Sequence, residues 1–234
     1  MHKYVVPDSI RARVLKLQGK PFALDRIDAA RTALVVVDMQ NYYMAEGFPN
    51  EAPVARAIVP NVNRMAAALR AAGGKVVWVQ TDSAEALAKW GNHHRYKLTP
   101  EKAAARIEKL AATHEGFKLY RTLEPKPEDI YVRKIKFSAM VGDSSNLDHV
   151  LRDNGLEVLL IAGTKTNVCC ESTARDASMM EYRVAMLSDC TATLNDEEHA
   201  AALNGFQISF GDVMTVDEVL QRLVPVKKRS AAAS

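Results

Sequence analysis

The sequence predicts an α/β protein built on a single doubly wound, mostly parallel sheet with helices on both faces. Short, continuously apolar runs such as Ala33–Val37 and Val158–Ala162 suit strands buried on both sides. Between them lie stretches whose apolar residues recur three and four positions apart, the period of a helix packed by one face. The 234 residues are 48% hydrophobic and 25% charged, a balance that lets one domain bury a sizeable core without disulfides or metal.

The elements follow in order. Residues 1–30 read as an N-terminal extension, where Pro7, Pro21 and several charges surround one modest helical pattern at Ile10 to Leu17. Three consecutive valines end the first strand at Asp38. A helix over Ala57–Ala72 carries Ile58, Val62, Met65 and Leu69 on one stripe and closes at Gly73-Gly74, the residue type that ends helices in the left-handed conformation. Val76–Val79 is the next strand. Residues 83–126 then break the rhythm and read as an insertion or lid over the sheet. Strands resume at Ile130–Val132, Val158–Ala162 and Arg183–Leu187. They alternate with helical patterns at Asn146–Arg152, Val168–Met180, Glu197–Gly205 and Val216–Leu223. The main domain therefore spans 31–225, and 226–234 reads as a flexible tail.

Composition excludes several functions. Basic residues exceed acidic ones by only three and are scattered, apart from Lys227, Lys228 and Arg229, so no nucleic-acid footprint is present. No apolar signal core opens the chain and no run approaches a membrane span, so a cytoplasmic protein without a membrane partner is expected. Three cysteines (Cys169, Cys170, Cys190) cannot form a disulfide framework, and no CxxC spacing suggests structural zinc. The phosphate-binding glycine patterns, the GxSxG elbow and HExxH are also missing, which argues against nucleotide, serine-esterase and zinc-protease chemistry.

In open α/β sheets the site forms beyond the carboxyl ends of the strands. Collecting those residues brings Asp38, Gln40 and Asn41 together with Lys134 and with Gly163-Thr-Lys-Thr-Asn-Val-Cys169-Cys170. A carboxylate, a lysine and a thiol at the start of a helix make a plausible nucleophilic set, since helix N–H groups stabilise a thiolate and can hold an oxyanion. The competing reading is that Cys169 is a small buried hydrophobe and Asp38 a strand cap. Cys170, about 100° further round the helix, and Cys190 are assigned to packing.

The three segments Ala33-Leu-Val-Val-Val-Asp38-Met-Gln40, Lys134-Ile-Lys-Phe-Ser-Ala-Met140 and Gly163-Thr-Lys-Thr-Asn-Val-Cys169-Cys-Glu-Ser-Thr-Ala-Arg-Asp-Ala177 resemble the isochorismatase-like cysteine hydrolase superfamily over about Thr32 to Leu223. Within it they are most similar to ureidoacrylate amidohydrolase-type members. Met140 and Lys165 stand where such members carry an aromatic and a small residue. The resemblance implies the superfamily's three-layer α/β/α fold and a catalytic set of Asp38, Lys134 and Cys169. It also implies an oxyanion hole from the backbone N–H groups of Lys165 and Cys169, and a cis peptide at Thr164–Lys165.

The implied activity is cleavage of a C–N bond in a small ureido, carbamoyl or amide compound through a thioester. The alternatives are vinyl-ether hydrolysis of the isochorismatase type and a catalytically silent domain that binds a metabolite or partner. Gln40, Asn41 and Tyr43 are candidate substrate contacts, as are Trp90, His94 and Arg95 in the insertion, with Arg95 or Lys165 available to a substrate carboxylate. No cofactor and no metal are expected, because Asp82 is followed by Ser83-Ala84 and not by the Asp-x-His…His set of nicotinamidase-type relatives. Relatives of this kind imply a homo-oligomer, a dimer or a tetramer.

Overall fold

The computed structural model describes residues 1–227 and is organised around six strands: β1 (Thr32–Val37), β2 (Lys75–Thr81), β3 (Ile130–Lys134), β4 (Val158–Thr164), β5 (Arg183–Ala192) and β6 (Asp212–Met214). Their order is β3-β2-β1-β4-β5-β6, and every adjacent pair is parallel. The principal helices are α1 (Asp8–Gln18), α2 (Val59–Ala72), α3 (Pro100–Lys109), α4 (Leu147–Asp153), α5 (Glu171–Met179), α6 (Asp196–Ser209) and α7 (Val216–Leu220).

The two-sided burial that the valine runs predict is explicit in β1. Leu34 and Val36 join a core layer with Val62, Met65 and Leu69 of α2. Ala33, Val35 and Val37 face the other way, into a layer with Ala174 and Ala177 of α5 and Leu203 and Phe206 of α6. Each such side chain withdrawn from water contributes roughly 1.5–3 kcal/mol. This is why the middle stretches of the central strands, Ala33–Val37, Val76–Val79 and Val158–Ala162, carry no polar side chain.

Those ends are longer than the apolar runs indicate. β2 continues through Gln80 and Thr81, and β3 through Arg133 and Lys134. Thr81 and Lys134 persist in the ladder because the site beyond the sheet takes up their side chains, whereas Arg133 faces solvent and pairs with Asp82. β6 has three residues and no recognisable run. The helix predicted from Val168 instead begins with a π-helical turn, Thr166–Cys170, that runs into α5.

The N-terminal 30 residues are packed on the domain. The Asp212 carboxylate accepts from the Ala23 and Leu24 N–H groups (3.0 and 2.7 Å), and Ile27–Asp28 pairs in parallel with Leu223–Val224. His2 is buried and stacks on His199 of α6. Of the tail predicted at 226–234, Val226 is tied to the end of α2 through its N–H to the Ala72 carbonyl, and residues 228–234 lie outside the described residues.

The chain runs outward from β1 to β3 and returns to lay β4 against the other side of β1. This places a topological switch point between β1 and β4. Gly163 sits there with φ +117°, and a Cβ on it would lie 2.0 Å from the Val37 carbonyl oxygen. Only glycine allows the two strand ends to approach so closely. The insertion over 83–126 folds across the same end of the sheet and contributes α3. It is stitched to the end of β1 by Asn41 N–H to the Lys118 carbonyl and Tyr120 N–H to the Met39 carbonyl (both 2.9 Å).

Candidate active site

Four strand ends converge at the switch point. Asp38 follows β1 with φ +51°, a left-handed conformation that aspartate tolerates better than most residues. Its carboxylate oxygen Oδ2 lies 2.7 Å from Lys134 Nζ at the end of β3, and both side chains are fully buried. Thr81, at the end of β2, links the pair. Its hydroxyl donates to Asp38 Oδ1 (2.8 Å) and accepts from Lys134 Nζ (2.8 Å), while its N–H also donates to Asp38 Oδ1 (3.0 Å). Lys134 Nζ donates further to the Lys136 carbonyl (3.1 Å). The fourth strand end, Thr164, donates through its hydroxyl to the Asp38 carbonyl (2.7 Å), and the Thr164–Lys165 peptide is cis.

Cys169 is buried beside this pair in the π-helical turn. Burial pushes its thiol up to about 12. The Lys134 ammonium pulls it down, the Asp38 carboxylate facing it pushes it further up, and Arg106 pulls it down. The sequence-based expectation of a thiolate stabilised by a helix start is therefore reversed in the resting site: burial outweighs the local cations, and the sulfur holds its proton. Burial works against the Lys134 charge, but Asp38 and the neighbouring Cys169 and Tyr43 together outweigh it and keep the ammonium above the ordinary lysine range. The resting arrangement is an ion pair facing a neutral thiol.

A cavity of about 500 Å³ opens onto Cys169. Tyr42, Tyr43, Lys165 and Phe137 line it from the sheet side, with His93 and Arg106 from the insertion. Lys165 reaches across to Asn50 (Nζ to Oδ1, 2.8 Å), and burial lowers its pKa. Among the described residues the Lys165 N–H has no protein acceptor, while its carbonyl accepts from the Val168 and Cys170 N–H groups.

The structure brings Asp38, Lys134, Cys169, Lys165 and Tyr43 together but separates the other predicted contacts. Gln40 is buried behind the site: its Nε2 donates to the Thr81 and Phe117 carbonyls (3.0 and 2.9 Å), and its Oε1 accepts from the Thr81 N–H (2.8 Å). It thus has no amide edge to offer a substrate. Asn41 binds Glu115 on a different face. Arg95 is exposed on the π-helical turn His93–Lys97, with its guanidinium over Gly91, and does not line this cavity. Trp90 and His94 form the wall behind the lining: Trp90 stacks on His93 (4.0 Å between rings) and meets Phe137 edge-on. His94 is buried with Nδ1 3.1 Å from the Trp90 carbonyl.

Cys170 and Cys190 are fully buried in the two core layers. Among the described residues no three metal-ligating side chains converge, and no helix is long and apolar enough to cross a membrane.

Sequence reasoning misses Thr81, Asn50 and Arg106. A signal for Arg106 exists. In α3 and the residue after it, Ala103, Arg106 and Leu110 share one buried stripe, so a charged residue occupies a position the helical period reserves for the core. Thr81 carries no such mark, since a threonine at the end of a strand is commonplace.

The family model described as the isochorismatase domain matches residues 32–218. The chain is 33% identical over 243 aligned positions to the ureidoacrylate amidohydrolase RutB of Pseudomonas savastanoi pv. phaseolicola, covering 96% of each. It is also 33% identical to the ureidoacrylate amidohydrolase RutB of Variovorax paradoxus, covering 94% of this chain and 91% of that one. Among solved structures, a cysteine hydrolase from Pseudomonas syringae pv. phaseolicola superposes with a TM-score of 0.78 at 27% identity, over 88% of this chain and 98% of that one.

Proposed function

The chain belongs to the isochorismatase family, and we propose that it is a cysteine-dependent amidohydrolase that cleaves a C–N bond of a small ureido or carbamoyl compound. The observation that carries this reading is the fully buried Asp38–Lys134 ion pair, 2.7 Å across, facing a protonated Cys169 at the edge of a small cavity. Burying two charges is costly, and a packing role does not require a thiol beside them. The similarity to ureidoacrylate amidohydrolases supports the substrate class.

In this reading Asp38 is the general base. It takes the Cys169 proton as Sγ bonds to the carbonyl carbon of the substrate. The negative charge moves from carboxylate to sulfur and then to the carbonyl oxygen, remaining near the Lys134 ammonium over the first transfer. The N–H groups of Lys165 and Cys169 hold the oxyanion. As the C–N bond breaks, Asp38 returns the proton to the departing nitrogen, leaving the acyl or carbamoyl group on sulfur. Water then attacks that carbon and gives its proton to Asp38, and the S–C bond breaks. The proton returns to Sγ, so the cycle adds one water across one C–N bond.

Thr81 keeps the carboxylate aimed by two donations, and Gln40 acts only by holding the Thr81 backbone. A cavity of about 500 Å³ fits a compound of this size. Three unbridged cysteines accord with a reducing cytoplasm as its place of action.

The test is ammonia release from a panel containing ureidoacrylate, a carbamoyl amino acid, biuret and nicotinamide. Turnover of the ureido or carbamoyl members above the others is expected. Turnover confined to nicotinamide, or absent from the whole panel, overturns the reading.

A further inference from the structure

Arg106 is 5% exposed, lines the cavity that opens onto Cys169, and has no carboxylate partner among the described residues. Its one hydrogen bond is from Nη1 to the Tyr43 hydroxyl, long at 3.3 Å, and its Nε and Nη2 have no partner among the described residues. Those two atoms form the side-on edge of the guanidinium, whose parallel N–H groups match the two oxygens of a carboxylate.

The same molecule shows what that edge does when paired. Arg70 Nε and Nη2 clamp Asp129 Oδ1 and Oδ2 at 2.8 and 2.6 Å. A guanidinium in a water-poor site without such a partner carries a desolvation cost, which one long bond to Tyr43 and the Trp90 ring 6.0 Å away offset only in part.

We propose that Arg106 is the anchor for a substrate carboxylate, so that the enzyme takes ureido or carbamoyl acids and discriminates against their neutral counterparts. The inference rests on the amidohydrolase reading and adds to it the ionic character of the substrate. The insertion brings the cation to the cavity, while the strand ends bring the nucleophile. A short substrate would thus be held at both ends, its carboxylate on α3 and its ureido carbon at Cys169. The other cavity cations are weaker candidates, because Lys102 is exposed to solvent, while Lys165 is already engaged by Asn50 and burial lowers its pKa. The two neighbouring histidines do not compete: burial keeps His93 at about 4, and His94 is likewise lowered by burial.

The test compares kcat/KM for ureidoacrylate and its methyl ester in the wild type, Arg106→Lys and Arg106→Gln. The wild type is expected to prefer the acid by at least ~30-fold, the scale of a desolvated charge pair. In R106Q the acid-to-ester ratio collapses toward one, with R106K between. The melting temperature of R106Q stays level or rises, because a buried charge without a carboxylate partner is removed.

Equal wild-type rates on acid and ester overturn the inference while leaving the amidohydrolase reading intact. So does an R106Q variant that loses both rates equally or melts well below the wild type, since either marks a structural arginine. Calorimetric binding of ureidoacrylate to Cys169→Ala protein, with and without R106Q, gives a readout independent of turnover. Binding that requires Arg106 supports the inference even if hydrolysis is not seen, whereas binding that ignores Arg106, or no binding at all, overturns it.

Discussion

Separating the Asp38–Lys134 pair distinguishes what the ion pair does for stability from what it does for chemistry. Consider Lys134→Met. The ammonium is fully buried and bridges Asp38 Oδ2 and the Thr81 hydroxyl, so its removal leaves a buried carboxylate with only Thr81 donating to it. Uncompensated charges of this kind cost about 3–5 kcal/mol. For a chain of this size that lowers the melting temperature by roughly 6–20 °C, taking about 2–4 °C per kcal/mol. Asp38→Asn leaves the ammonium similarly stranded and should cost about the same. The double variant Asp38→Asn/Lys134→Met strands neither charge and should return to within about 1–2 kcal/mol of the wild type, a coupling of several kcal/mol.

Activity should not return with it. All three variants are expected to fall at least ~10³-fold in ammonia release, because the proton acceptor or its counter-charge is missing. Urea or thermal denaturation of the four proteins, read beside ammonia release, completes the cycle. Additive destabilisation in the double variant would refute the claim that the two charges exist for each other. Activity regained together with stability would refute the claim that they act on the thiol.

The remaining predictions are narrower. Asp38→Asn removes the carboxylate that holds the Cys169 proton while Lys134 stays, so iodoacetamide labelling of Cys169 at pH 8 should speed up about tenfold even as turnover is lost; unchanged or slower labelling would contradict the charge arrangement. Burial, with His2 beside it, lowers His199 to about 4, so the unfolded chain binds the extra proton between pH 6.5 and 4. Stability should therefore fall by on the order of 2 kcal/mol as pH drops through that window, and His199→Gln should flatten the denaturation profile there. Gly163→Ala places a methyl group 2.0 Å from the Val37 carbonyl at φ +117° and should cost about 3 kcal/mol or more in urea denaturation. Gln40→Ala removes three hydrogen bonds, two of them buried, and should cost about 2–4 kcal/mol; kcat should fall through displacement of Thr81, with KM little changed.

Much of the architecture is legible because burial on both faces leaves a plain mark. Runs such as Val158–Ala162 are apolar without interruption and fully buried, although the strand itself continues through Thr164. The convergence of Asp38 and Lys134 follows from the rule that sites form beyond the carboxyl ends of parallel strands, and Cys169 lies just past another such end. The state of the sulfur was not legible in this way. Local sequence shows a helix start, but the degree of burial and the facing carboxylate are tertiary facts, and they reverse the expected shift. Gln40 illustrates a similar limit, since an amide two residues after Asp38 could face the substrate or the backbone, and only the approach of Thr81 decides. In the insertion, Arg95 and Arg106 are equally basic. The helical stripe Ala103–Arg106–Leu110 distinguishes them, because it turns one guanidinium inward while the π-helical turn leaves the other in solvent.

The central claim is that Cys169 is the nucleophile that the buried Asp38–Lys134 pair activates. Its most direct test is ammonia release from saturating ureidoacrylate by Cys169→Ala, once the variant is shown by its melting curve to be folded. The account predicts a loss of at least ~10⁴-fold in kcat, the scale seen when a covalent nucleophile is deleted. A folded alanine variant that retains turnover within about tenfold of the wild type would contradict it.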